Sequence, residues 1–240
     1  MNSYELNNKK ERRFSLKIVA HKIRANLPNW VYENILKWRL LFFTKDCAKY
    51  KNTNKKIIYS DGLWINRDTT YDLKLIQSYL STVKNKSILQ VGTGNMSLYK
   101  TLDHTARPFY GITILKEEEK FGKSVIKQRL DKRSEVYLWD KYTGDFNFLN
   151  DKKVDFIVDN DISSYACCVN HFKDMLKAYS QIINPNGSIL VGLKGLGYFD
   201  SGFGLTIDML NKYLKPYGLW GEEKENFFQI KKVGEKRYNL

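Results

Sequence analysis

Strand-like and helix-like segments alternate along most of this chain, and the alternation limits the folds that it can adopt. Short apolar runs are typical of buried strands, whereas longer segments with apolar residues at helical spacing are typical of amphipathic helices. Because helical segments lie between the strands, right-handed crossovers give an α/β fold, an open parallel sheet with helices on both faces. The predicted strands are residues 87–91, 108–115, 135–140, 154–159 and 188–193.

The remaining segments complete this prediction. The sequence Asn184-Pro185-Asn186-Gly187 predicts a turn that ends one helix before the fifth strand. Residues 218–220 and 226–232 predict two closing strands that pair antiparallel. Asp68 or Thr69 is the expected cap of the first core helix. The predicted helices of the core are residues 70–83, 98–102, 116–130, 172–183 and 207–214.

The first predicted strand runs into a glycine pair, in the stretch SILQVGTGNMSL at residues 87–98. Gly92 and Gly94 suit a strand-to-helix turn, because glycine tolerates strained backbone and lets main-chain N–H groups approach a ligand. Ligands of open parallel sheets bind beyond the carboxyl ends of the strands. A glycine pair alone is equally compatible with a dinucleotide site, so the motifs that follow must decide.

Basic residues are concentrated at the start of the chain. The net charge is +14, and residues 1–60 contribute +10 of it, with 14 Lys and Arg against 4 Asp and Glu. We therefore divide the chain into a basic helical extension, residues 1–56, and a main domain, residues 57–240. The extension is either a cap with a solvated basic face or a surface for an anion: a phosphorylated substrate, nucleic acid or an acidic membrane.

Cysteine content and hydropathy bear on the cellular compartment of the protein and on metal binding. The three cysteines are Cys47, Cys167 and Cys168, an odd and sparse set without metal-ligand spacing, which is typical of a reducing compartment. No apolar run approaches the ~20 residues that cross a bilayer, and no segment has the pattern of a secretion signal. We expect a cytoplasmic protein without a metal site, with peripheral membrane contact through the N-terminal helices as an alternative.

Five motifs, in order, resemble those of the class I S-adenosylmethionine-dependent methyltransferase family. They are ILQVGTGNMSL, YGITI, LWD, VDFIVDND and INPNGSILVGL. The resemblance covers about residues 68–232, and five motifs in sequence are more specific than any one of them. It implies a Rossmann-like, doubly wound and mostly parallel sheet with an antiparallel C-terminal strand. It also implies S-adenosylmethionine as the cofactor.

Three positions depart from the family pattern. Gln90 stands where the family usually has an acid, and Met96 replaces the third glycine. Thr113 replaces the acid that binds the cofactor ribose, and in this respect the second strand resembles cyclopropane fatty acid synthase-like members. Glu118 stands five residues after Thr113, so the hydroxyl and the carboxylate are candidates to share the ribose.

The resemblance implies a cofactor site at the strand ends. Main-chain groups of Gly92 and Gly94 would contact the methionine part, and Asp140 would accept a hydrogen bond from the adenine amino group. Asp159 would face the amino-acid end together with Asn160. A strand-end cap for Asp140 and a turn role for Asp159 are the alternatives. The complete predicted set is Gln90, Gly92, Thr93, Gly94, Thr113, Ile114, Glu118, Trp139, Asp140 and Asp159.

The catalytic residues are predicted from the chemistry of the acceptor. The sulfonium methyl is already activated, so the enzyme mainly aligns the acceptor for in-line attack. An alcohol acceptor must also lose a proton, and an acid or histidine after the fourth strand is the natural base. Asp161 and His171 are these candidates, and a surface or packing role explains His171 equally well.

The sequence therefore predicts an S-adenosylmethionine-dependent methyltransferase. Its expected acceptor is an oxygen of an anionic small molecule or of a phosphorylated or nucleotide-linked glycan precursor, as in the modification of bacterial surface polysaccharides. One alternative is an RNA methyltransferase that uses the basic N-terminal arm. The other is a non-catalytic binding protein in which the cofactor site has decayed.

Overall fold

The structure is a computed structural model, and it describes residues 64–66, 68–102, 108–164, 166, 169–193, 205–224 and 227–233. The predicted N-terminal extension and the three cysteines lie outside the described residues.

A seven-stranded sheet forms the centre of the described fold, with strand order β3-β2-β1-β4-β5-β7-β6. Strands β1 to β5 pair in parallel, and β7 pairs antiparallel with both β5 and β6. This confirms the predicted α/β, mostly parallel sheet with antiparallel closing strands. The strands are β1 (Ile88–Val91), β2 (Phe109–Thr113), β3 (Glu135–Leu138), β4 (Val154–Val158), β5 (Ile183–Gly192), β6 (Leu219–Lys224) and β7 (Phe227–Lys232).

Five α-helices accompany the sheet in the described residues. Helix α2 is a single short turn, and α4 begins three residues before its predicted start. Four short 3-10 helices connect other elements: Trp64–Asn66, Lys141–Thr143, Asn147–Leu149 and Lys215–Tyr217. The α-helices are α1 (Tyr71–Ser81), α2 (Ser97–Thr101), α3 (Lys116–Gln128), α4 (Val169–Ile182) and α5 (Ile207–Leu214). None of the described helices is long and apolar enough to span a membrane.

The cap of α1 is Thr70, and the prediction of Asp68 or Thr69 was wrong by one or two residues. The Thr70 hydroxyl accepts a hydrogen bond from the Leu73 N–H at 3.3 Å, which satisfies one of the unpaired donors of the first turn. Ile76 and Leu80, four residues apart, lie on the buried face of this helix.

The predicted turn at residues 184–187 is not a separate turn. Helix α4 ends at Ile182 and β5 begins at the next residue. Along β4 the paired positions advance from Val154 to Phe156, whereas along β5 they advance from Ile183 to Ser188. The Asn-Pro-Asn-Gly segment is therefore the longer side of a strand irregularity, which absorbs the extra residues without ending the pairing.

Candidate functional site

The strand order reverses at β1. Strands β2 and β3 are added on one side of it, and β4 and β5 are added on the other. In open α/β sheets, such a switch point leaves a crevice outside the carboxyl ends of the strands, and ligands bind there. Strand β1 ends at Val91, directly before Gly92. The glycine pair predicted from the sequence therefore lies at the switch point.

Gly92 and Gly94 both adopt left-handed backbone, with φ of 73° and 45°. The Gly92 N–H donates to the Ile112 carbonyl of β2 at 2.9 Å, so the loop starts in a defined position. A Cβ on Gly92 would have no atom within 4 Å. Its conformation and the open space above it, not crowding by the protein, therefore explain the glycine.

Met96 stands where the family has its third glycine, and it too has left-handed backbone, with φ 59° and ψ 23°. Its side chain is fully buried and belongs to the hydrophobic core. Gly122 of α3 makes room for it, because a Cβ there would lie 3.3 Å from the Met96 sulfur. Met96 therefore adopts a backbone conformation that favours glycine, while its side chain adds a contact to the core.

Gln90 and Thr93 are buried at the glycine turn with polar atoms unsatisfied. The Gln90 side-chain amide donates to the Gly92 carbonyl at 3.0 Å, but its Oε1 has no partner, and neither has the Thr93 Oγ1. Both residues are at most 2% exposed. Because an unpaired buried polar atom is costly, these two oxygens are suited to a ligand that brings hydrogen-bond donors.

Thr113 and Glu118 are brought together at the end of β2. The Thr113 hydroxyl donates to Glu118 Oε2 at 2.6 Å and accepts from the Leu115 N–H at 3.2 Å. Both side chains are buried, with 4% and 3% exposed. The hydroxyl and the carboxylate thus form one unit, as the spacing of five residues suggested, and their role toward a ribose stays a prediction.

The predicted adenine-binding residues follow β2 and β3. Asp140 caps the 3-10 helix Lys141–Thr143, where its Oδ1 accepts from the Tyr142 N–H at 2.9 Å, so the capping alternative is observed. The Trp139 indole N–H donates to the Asp145 carbonyl at 3.0 Å. Trp139, Asp140 and Ile114 are all partly exposed, so their contact with a ligand stays a prediction.

Asp159 is buried in an ion pair at the end of β4. Lys141 Nζ lies 3.1 and 3.0 Å from its two carboxylate oxygens, and the Tyr179 hydroxyl donates to Oδ2 at 2.9 Å. Burial, together with this carboxylate, raises the pKa of Tyr179 well above its usual value. The carboxylate of Asp159 is thus bound by Lys141 and Tyr179, and its contact with the cofactor stays a prediction.

Asp161 and Asn160 lie next to this ion pair. Burial raises the pKa of Asp161 above its usual value of 3.8, and the charges of Asp159 and Asp72 raise it further, whereas Lys141 and the Asn160 hydrogen bond oppose the shift. The Asn160 Oδ1 is buried without a partner. A carboxyl group with a raised pKa, placed after the end of β4, has the property expected of a proton acceptor or donor.

Asp72 reaches this group from the first turn of α1. A Cβ on Gly192, the last residue of β5, would lie 2.8 Å from Asp72 Oδ2 and 2.6 Å from Asn160 Oδ1. A side chain at this position would displace both polar groups, which explains the glycine. The ends of β4 and β5 and the start of α1 meet at this point.

His171, the second predicted base, is in the first turn of α4 and is partly buried. Because α4 connects the parallel strands β4 and β5, its start lies toward the carboxyl edge of the sheet, on the same side as Asp161. Its catalytic role stays a prediction.

Three residues of this region were missed in the sequence: Lys141, Tyr179 and Asp72. Tyr179 and Asp72 lie within the predicted helices 172–183 and 70–83, and helical spacing alone does not indicate a polar contact for either. Lys141 directly follows the third motif, but the sequence alone does not show that its ammonium is buried. Pairing a lysine with an aspartate 18 residues away requires the tertiary structure.

These residues fit a cofactor of the predicted kind. The glycine turn leaves open space, and the buried acceptors Gln90 Oε1 and Thr93 Oγ1 match a ligand with ammonium or hydroxyl donors. Thr113 and Glu118 supply a hydroxyl and a carboxylate at the end of the next strand.

Comparison with known proteins relies on structure, since no family model and no curated protein matches this chain. A solved S-adenosylmethionine-dependent methyltransferase from Clostridium acetobutylicum superimposes with a TM-score of 0.52 at 14% identity, over 78% of this chain and 98% of that one. An O-methyltransferase family protein from Burkholderia thailandensis gives 0.50 at 9%, over 68% and 57%. PKMT2 from Rickettsia typhi gives 0.50 at 13%, over 65% and 44%.

Likenesses at such low identity show the fold. The match accounts for nearly all of the Clostridium protein but for less than two thirds of the other two. Together with the observed strand order and the glycine turn at the switch point, they show that the described part of this chain has the Rossmann-like fold of class I S-adenosylmethionine-dependent methyltransferases.

Proposed function

We propose that this protein is an S-adenosylmethionine-dependent methyltransferase that acts on an oxygen of its acceptor. The observation that carries the proposal is the glycine turn at the switch point, with open space above Gly92 and unpaired buried oxygens on Gln90 and Thr93. A protein that never bound a ligand there would leave these acceptors unsatisfied at a cost of about 1–3 kcal/mol each.

Different residues at the strand ends would bind different parts of the cofactor. Main-chain groups of Gly92 and Gly94 would hold the methionine part of the cofactor, and the Thr113–Glu118 unit its ribose. Asp140, Trp139 and Ile114 would surround the adenine. When bound, the cofactor supplies a methyl group already activated by the sulfonium, so the protein contributes mainly alignment of the acceptor.

Asp161 is our candidate for the base. An alcohol loses its proton when its oxygen is methylated, and a carboxylate with a raised pKa accepts a proton more readily than an ordinary one. Its place after β4, beside Asn160 and Asp72, is the place where an acceptor would meet the end of the cofactor. His171 is the alternative base.

We further propose that the acceptor is anionic, as in a phosphorylated or nucleotide-linked precursor. The support is the +10 net charge of residues 1–60, which would attract such a molecule. RNA as the acceptor is the alternative, and it predicts strongly salt-dependent binding.

Cofactor binding is tested by calorimetry with S-adenosylmethionine and its demethylated product on Gly92→Ala, with Gly218→Ala as the matched control. Both glycines have positive φ, 73° and 67°, and open space around a Cβ. Gly218, however, lies just before the edge strand β6, away from the switch point at β1. We expect both variants to lose about 1–2 kcal/mol of stability, and only Gly92→Ala to lose affinity. Absence of binding to the unmodified protein, or equal affinity in both variants, would contradict the proposal.

A further inference from the structure

The Lys141 ammonium is buried, with 7% of the side chain exposed, and it contacts four oxygen atoms. Two belong to the Asp159 carboxylate, at 3.1 and 3.0 Å. The other two are the main-chain carbonyl oxygens of Asp161 and Ile162, each at 3.0 Å. A buried ammonium needs such partners, because desolvating an unpaired charge costs several kcal/mol.

These contacts connect the segment after β3 with the segment after β4. In the sheet those two strands are separated by β2 and β1, so the connection runs along the carboxyl edge that carries the candidate site. Tyr142 adds to it, since its hydroxyl donates to the Ser164 carbonyl at 2.7 Å. The Ser164 N–H in turn donates to the Asp161 carbonyl at 2.9 Å, the same oxygen that Lys141 holds.

We propose that Lys141 is a positioning residue, which fixes the loop of residues 159–164 and thereby presents the Asp161 carboxylate to the acceptor. The proposal rests on the proposed function for its chemical meaning, since Asp161 is the candidate base of that reaction. Lys141 itself acts through the loop carbonyls and through its charge.

The charge of Lys141 also acts on Asp161. Asp161 is surrounded by Asp159 and Asp72, whose charges raise its pKa, and by Lys141 and the Asn160 hydrogen bond, which lower it. Removing the cation leaves the two carboxylates opposed only by the Asn160 hydrogen bond. Its pKa then rises, and less of the carboxylate is ionised and ready to accept a proton at neutral pH.

Lys141 acts on the loop in two ways, and two variants separate them. One is the tether, meaning its hydrogen bonds to the Asp161 and Ile162 carbonyl oxygens, and the other is its positive charge. Lys141→Met removes both, and it leaves Asp159 buried and unpaired, which costs about 3–5 kcal/mol and can unfold the protein. Lys141→Met combined with Asp159→Asn removes one cation and one anion together, so the charge around Asp161 is rebalanced while the tether is still lost. Lys141→Arg keeps the cation and tests for rescue.

Lys232→Met is the matched control. Lys232 is also partly buried and donates to a main-chain carbonyl, that of Ile183, at 3.0 Å. Ile183 begins β5, at the amino edge of the parallel sheet and away from the candidate site. Loss of this lysine therefore removes a comparable tether elsewhere.

Two readouts are followed in the full-length protein: hydrogen exchange of the Ser164 amide, and carboxyl carbon-13 NMR titration of Asp161. In the double variant we expect the Ser164 amide to exchange at least about tenfold faster, with the pKa of Asp161 close to that of the unmodified protein or below it. In Lys141→Met, if folded, we expect the same faster exchange and a pKa of Asp161 above that of the unmodified protein. In Lys141→Arg we expect the titration of the unmodified protein to be restored.

Unchanged Ser164 exchange in the double variant would overturn the proposal, and so would equal acceleration in Lys232→Met. A pKa of Asp161 that does not respond to Lys141→Met would overturn the electrostatic part. Neither readout requires the cofactor. Failure of the unmodified protein to bind S-adenosylmethionine would therefore contradict the proposed function and leave the result on Lys141 standing.

Discussion

At the scale of single residues, the candidate site depends on polar groups that burial leaves in unusual states. Gln90 Oε1, Thr93 Oγ1 and Asn160 Oδ1 are buried acceptors without partners in the described part of the chain. Asp161 is a carboxyl group in a region that already contains Asp159 and Asp72. Such groups lower the stability of the folded protein, but they are already in place to contact a ligand. Groups of this kind are common at the binding and catalytic sites of proteins.

Asp161→Asn should make the protein more stable at neutral pH. The pKa of Asp161 is raised in the folded state, chiefly by burial, so its contribution to stability is full below the unfolded value of about 3.8 and is lost as the pH rises through the folded pKa. An asparagine cannot ionise and avoids that loss. Urea unfolding of both proteins should show a difference at neutral pH that disappears in acid.

Asp131→Asn is the control with the opposite sign. Burial opposes ionisation of Asp131, but hydrogen bonds from the Ser134 hydroxyl and the Arg133 N–H outweigh it and hold its pKa below the usual value. Its contribution is present at neutral pH and is lost in acid, so this variant should be less stable at neutral pH. The same sign in both variants would contradict the assignment of Asp161.

At the scale of elements, the irregular start of β5 shows how a turn-like sequence can remain inside a strand. Gly187 lies in the longer side of the irregularity and is buried. A Cβ there would lie 2.6 Å from the Asp155 carbonyl oxygen and 2.6 Å from the Ile183 side chain. Gly187 therefore allows β5 to pack closely against β4 at this point.

Gly187→Ala should destabilise the fold by about 1–3 kcal/mol, because the backbone of β4 cannot move away as a flexible side chain could. Its neighbour Asn186 is exposed, and Asn186→Ala should change stability by no more than about 0.5 kcal/mol. Urea denaturation measures both. Equal stability of the two variants would show that the Asn-Pro-Asn-Gly segment is a loose loop.

At the scale of the whole molecule, charge and the candidate cofactor site occupy different parts of the sequence. The site residues predicted from the sequence lie between Gln90 and His171, whereas most of the net positive charge belongs to residues 1–60. Binding of the cofactor and attraction of an anionic partner should therefore respond to different substitutions.

Neutralising four N-terminal cations should weaken binding to RNA and to anionic liposomes at low salt and leave the affinity for the demethylated cofactor unchanged. The substitutions to glutamine are Lys9, Lys10, Arg12 and Arg13. The matched control replaces four exposed lysines of the main domain: Lys127, Lys152, Lys153 and Lys177. Electrophoretic mobility shift and liposome sedimentation measure the effect. Equal weakening by both sets would contradict a specific role for the N-terminal arm.

The sequence alone was sufficient for the order and type of the main elements. Hydrophobic periodicity predicted all five parallel strands, the antiparallel closing pair and the boundaries of α5, Ile207–Leu214, as observed. It was less accurate at element ends, where Thr70 caps α1 and where residues 184–187 continue into β5. Turn and cap signals are local, and neighbouring strands can override them.

The alternating pattern, which requires a covered parallel sheet, and the glycine turn after the first strand were both predictable from the amino-acid sequence. The contacts of the polar residues there became visible only in the folded chain. Folding joined Thr113 to Glu118, enclosed Asp159 between Lys141 and Tyr179, and placed Asp72 beside Asp161. The physical reason is that periodicity records which face of an element is buried, whereas the partner of a buried charge depends on the strand order that brings distant segments together.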